Sequence, residues 1–141
     1  MMHSMLQPVV ALVLWSMVMW VWLYATRVPA MVRARTRLDP ALPRDVMLGG
    51  LPPRVRWKAD NYNHLMEQPT LFYATGLTLA LLEQGDALTV GLAWAYVGLR
   101  VAHSLIQALV NVILVRFSVF MIASAVLVVL ALRAGMAVFQ I

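Results

Sequence analysis

No cysteine occurs anywhere in the chain, which excludes disulfides, thiolate metal sites and a thiol nucleophile belonging to the protein itself. Any thiol chemistry must use a bound thiol. Charge is scarce as well: 12% of the residues are charged, and acids are fewer than bases, 6 against 11. With 62% hydrophobic residues and a mean hydropathy of +0.80, a chain of 141 residues has too little polar surface to cover a soluble core. The composition therefore points to an integral membrane protein. The three histidines, His3, His64 and His103, lie far apart without metal-ligand spacing, so no metal site is expected. The pI near 10.5 is no argument for nucleic acid, because the positive charge is concentrated where membrane topology requires it.

At about 20 residues per helical crossing, the chain has room for four spans and one modest loop. The reading is a single all-α membrane domain over 1–141, with spans at about 6–26, 65–82, 87–110 and 115–138. The first stretch carries no Asp, Glu, Lys or Arg and is too long for a typical signal-peptide core, so it is taken as retained. Eight of the eleven basic residues fall in the loop over 27–63, which places that loop in the cytoplasm of a bacterial inner membrane. Contact of this basic loop with anionic lipid headgroups is expected. Glu83 to Asp86 make a short acidic turn, and Asn111 marks the turn between the third and fourth spans.

Arg100 is the only Asp, Glu, Lys or Arg between Ala87 and Val115. An arginine at bilayer depth costs about 2.5–3.5 kcal/mol on insertion scales, so it needs a partner or a ligand. His103, Gln107 and Asn111 follow it at helical spacing and share its face. At the entrance to the second span Arg56, Asp60, Asn63 and Glu67 form another such stripe, and Glu67 falls at a depth similar to that of Arg100 and His103, so the two sides are expected to interact. Such a pair would fix helix register without further help. The continuation of the third-span stripe to Arg116 instead points to an anionic ligand. Beyond the first span, Arg33 and Arg37 would share one side if the helix continues, although a topology determinant explains them equally well. A proton relay through Glu67, Arg100 and His103 lacks a continuous acidic path to the far side.

Four short spans, Val32-Arg33-Ala34-Arg35, Asn63 to Glu67 with Pro69 and Phe72, and Arg100-x-x-His103 with Arg116 sixteen residues on together resemble the family of membrane-associated proteins in eicosanoid and glutathione metabolism, MAPEG. The resemblance covers nearly the whole chain. It implies a four-helix bundle assembled as a homotrimer, with glutathione between neighbouring subunits near the cytoplasmic side. Arg33, Asn63, Glu67, Arg100 and His103 would line that site, with Gln107 on the same stripe. Arg116 matches the catalytic position, where a cation favours thiolate over thiol. The implied activity is a glutathione-dependent transferase or peroxidase acting on a lipophilic electrophile. This chain departs from the pattern at Asp60 where a base is expected, at Gln107 in place of a tyrosine, and at Phe117 after Arg116. Those departures support the alternative, a non-catalytic membrane protein of the same fold that binds lipid or a partner membrane protein.

Overall fold

The computed structural model describes residues 2–140. Met1 and Ile141, the ends of the domain expected over 1–141, lie outside the described residues, as do the side chains of Met2 and His3. Six helices follow one another: α1 (Met2–Arg33), α2 (Arg44–Leu48), α3 (Pro53–Leu65), α4 (Pro69–Leu81), α5 (Ala87–Leu109) and α6 (Ile113–Phe139). By length and composition, α1, α5 and α6 each suffice to cross a membrane. The 13 residues of α4 rise only about 20 Å, short of a hydrocarbon core of about 30 Å. The end of α3 has to complete that crossing.

The basic stretch is more helical than a loop. Apolar Val28, Met31 and Val32 carry α1 past Arg27 to Arg33, where Arg35 turns into the left-handed region (φ 50°) and the Thr36 amide donates back to the Met31 carbonyl at 3.1 Å. Arg33 therefore ends the helix and Arg37 lies beyond it, so the two do not share a helical face. At the same end of the bundle Asn111 also adopts a left-handed conformation (φ 51°), and its amide donates to the Ile106 carbonyl at 2.6 Å, closing α5 just before α6 begins.

The core sits between α1, α4, α5 and α6, around Leu12, Phe72, Leu79, Tyr96, Leu127 and Leu130. Phe72 and Tyr96 stack with ring centroids 4.5 Å apart. Between apolar helices in lipid, close packing and polar contacts do the work that hydrophobic transfer does in water. Gly76 shows how tight the packing is: a Cβ there would lie 2.6 Å from Val9 Cγ2 on α1. Gln68, in the break between α3 and α4, ties three helices together. Its Nε2 donates to Ser124 Oγ of α6 at 2.8 Å, and its Oε1 accepts from the Tyr96 hydroxyl of α5 at 3.3 Å.

The far end of the bundle is closed by one polar cluster. Asp86 caps α5, accepting from the Thr89 amide at 2.9 Å and the Thr89 hydroxyl at 3.0 Å. Arg133 of α6 joins it, donating from Nε to Thr89 Oγ1 at 2.8 Å and from Nη2 to Asp86 Oδ2. The Asp86 carboxyl is held below the usual carboxylate range, first by the Thr89 backbone amide, then by the Thr89 hydroxyl and Arg133.

Two outcomes follow from this packing. Gly76→Val should lower the stability of the detergent-solubilised protein by about 1–3 kcal/mol, because Val9 is a stiff β-branched neighbour; unchanged thermal unfolding would show that α1 and α4 do not touch there. Asp86→Asn should lower Tm at neutral pH, where the depressed carboxyl makes its full contribution. The gap to wild type should close as pH falls through the folded-state pKa and the native carboxylate is itself protonated. A gap constant from neutral to acid pH would contradict the cluster.

Candidate functional site

A proline creates the polar focus of the bundle. Pro69 starts α4: it has no amide hydrogen for the Leu65 carbonyl four residues back and its ring crowds that carbonyl, so the ladder of α3 stops at Leu65. With the helix broken the Gln68 amide does not reach the His64 carbonyl, which receives only a long 3.4 Å contact from the Glu67 amide. Arg100, fully buried on α5, donates from Nη2 to that carbonyl at 3.1 Å. The guanidinium also lies over the Phe120 ring of α6, with Cζ 5.9 Å from its centroid. The expected Glu67–Arg100 pair does not form. Glu67 points outward, 68% exposed, and its Oε2 lies 3.0 Å from His64 Nδ1 one turn earlier. The break turns the Glu67 side chain away while it frees a backbone acceptor for Arg100.

Outward from Arg100 a recess of about 340 Å³ opens between α3, α5 and α6. His64, Glu67 and Asp60 come from the second-crossing side, His103 and Gln107 from α5, and Arg116 with Phe117 and Phe120 from α6. The His64 and His103 rings are 4.9 Å apart, and His64 lies 5.2 Å from Phe120. Along α5, His103 Nδ1 and Gln107 Oε1 are buried without hydrogen-bond partners, as is Asn111 Oδ1 in the turn that follows, and Arg100 Nε and Nη1 share that condition. Leaving such groups unpaired costs about 1–3 kcal/mol each. Arg116 stands in the first turn of α6, where the helix dipole disfavours a cation. A stripe of unpaired polar groups ending at a misplaced cation is an arrangement that an anionic polar ligand would relieve. The carboxylates of Asp60 and Glu67 beside it suit an ammonium group, and Phe117 and Phe120 offer an apolar wall.

Of the seven residues singled out from the sequence, Glu67, His103, Gln107 and Arg116 line this recess, with Arg100 buried behind it. Asn63 lines a neighbouring recess, and Arg33 is exposed at the end of α1, outside both. His64 and Phe120 were missing from the set. For His64 the signal was Pro69, whose break converts a helical carbonyl into an arginine acceptor. For Phe120 it was the four-residue step from Arg116, one turn along the same helix.

The sequence model of the MAPEG family matches residues 5–136. Comparison with curated proteins and with solved structures returns no match. A match from the start of α1 almost to the end of α6 takes in every crossing and every wall of the recess, so this integral membrane protein, all-helical and of the four-span fold, belongs to the MAPEG family.

Proposed function

We propose that the chain is a glutathione-dependent transferase or peroxidase acting on a lipophilic electrophile, working as a homotrimer with its basic end on the cytoplasmic side of a bacterial inner membrane. The observation that carries this reading is the row of buried, unpartnered polar atoms at His103, Gln107 and Asn111 leading to Arg116. Glutathione has two carboxylates, an ammonium and amides. The donor set fits it: Arg116 and His103 for acids and amides, Glu67 and Asp60 for the ammonium. Bound glutathione supplies the thiol nucleophile that a cysteine-free chain cannot.

The protein's own groups do the rest. Arg116 holds negative charge at the recess mouth and so favours thiolate. Arg100, anchored on the His64 carbonyl, sets the position of α5 and with it His103. Phe117 and Phe120 exclude water and meet an apolar partner arriving from the bilayer. Ile113, Leu114 and Phe117 are exposed beside the mouth at 69%, 76% and 56%, an apolar rim that a neighbouring copy would cover.

A second reading is favoured by Asp60, which puts a carboxylate where an acidic ligand wants a cation. It is a non-catalytic protein of the same fold whose recess and rim hold lipid or a partner membrane protein.

Purified protein should conjugate glutathione to a chlorodinitrobenzene-type electrophile. Arg116→Ala should lower kcat on the order of 10²-fold, as when one charge-stabilising donor is removed, and move the pH–rate profile to higher pH. Arg37→Ala, outside the recess, should do neither. No heat of binding at millimolar glutathione would end the enzyme reading, and a stoichiometric companion protein or lipid in the purified material would favour the second.

A further inference from the structure

A second recess, of about 390 Å³, lies between α1, α2 and α3. Arg27, Arg44 and Arg56 line it together with Asp45, Asp60 and Asn63. Arg27 is the unusual member. It is 9% exposed, its Nε has no hydrogen-bond partner, and the ion pairs among the described residues, His64–Glu67 and Asp86–Arg133, do not include it. A buried guanidinium with no carboxylate in direct contact is expensive, and although Asp45 and Asp60 share this recess, the Arg27 Nε is left for an anion to meet.

We infer that this recess is a binding site for a singly charged phosphodiester, the chemistry shared by a phospholipid headgroup and a free glycerophosphodiester. Guanidinium forks match phosphate oxygens in pairs, and three of them converge here. Two carboxylates cancel two of the three charges, so the lining carries one net positive charge, which matches a monoanion and disfavours a polyanion. The volume falls in the range of small-ligand sites, about 300–1,000 Å³. The depth also fits. Arg27 is the first charged residue after the apolar run of α1, which sets the recess at the membrane surface, and Leu38, Leu42 and Val46 nearby in sequence expose apolar surface. Asp60 forms a wall common to both recesses, and Asn63, which the family resemblance places among the glutathione residues, lines this one, but Glu67, His103, Gln107 and Arg116 take no part in it. The inference therefore does not use the row of groups on which the glutathione reading rests, and competition by glutathione tests whether the two sites are separate.

The test uses delipidated full-length protein in detergent and two probes, short-chain phosphatidylglycerol and its deacylated counterpart glycerophosphoglycerol, followed by calorimetry. Arg44 is exposed, so Arg44→Gln should fold and should weaken binding about tenfold, the loss of one charge-assisted hydrogen bond. Arg27→Gln, if folded, should weaken it further. Arg37→Gln, on the same basic surface but outside the recess, should change it by less than about twofold. Binding of both probes with similar affinity assigns recognition to the headgroup alone and admits a soluble ligand; binding of the lipid alone assigns a membrane phospholipid. Equal losses in Arg37→Gln and Arg44→Gln would reduce the effect to diffuse attraction and overturn the site. So would displacement of the probe by saturating glutathione, or absence of binding by either probe at about 10 mM, where even a weak millimolar site would register.

Discussion

One buried guanidinium, that of Arg100, has to be held inside an apolar bundle, and its hydrogen bond from Nη2 to the His64 carbonyl is the anchor, while Nε and Nη1 stay unpaired. A complete helix offers no spare carbonyl in its interior. The second crossing is therefore broken, with Pro69 ending the ladder of α3 and starting α4, and Gln68 in the gap bonded to both α5 and α6. The break, the arginine and the glutamine form one construction: remove the proline's effect and the acceptor is reabsorbed into the helix. Backbone irregularity at membrane depth is tolerated where it is buried in protein or lines a polar cavity, and here Leu65 and Pro69 on either side of the break are buried while Glu67 faces the recess.

The same construction decides which charges face the recess. Because Arg100 is met by backbone, Glu67 is left to pair with His64 at the surface and remains accessible. The recess thus keeps acids on its α3 side and a cation on α6, with two imidazoles between them. Opposite charges held apart in one small volume favour a zwitterionic ligand over a simple anion. The opposite end of the bundle is different in kind. There Asp86, Thr89 and Arg133 satisfy one another, and the cluster reads as a fastening.

The two recesses share Asp60, so the exposed face of α3 separates two anion-seeking environments. Asp60 is also one of the three residues, with Gln107 and Phe117, that depart from the family pattern. Its carboxylate lowers the positive charge of both recesses at once, which moderates the pull of three arginines on one side and of Arg116 on the other.

Much of the architecture was legible before any coordinates. The long charge-free runs, the stripe from Arg100 to Asn111, the turn near Asn111 and the family pattern through Arg116 are local or periodic features, and periodicity survives in one dimension. The partner of Arg100 was not legible, because an acidic side chain at similar depth is visible in a sequence while a backbone carbonyl freed by a break is not. Nor was the extension of α1 through the basic stretch, since charge density alone does not distinguish a solvated helix from a loop, or the recess around Arg27, whose members come from three helices. The amino-acid order determined the membrane class, the helical faces and the family; the tertiary structure alone decided which polar groups find partners and which are left facing a cavity, because pairing depends on the separation of atoms across helices that sequence spacing does not contain.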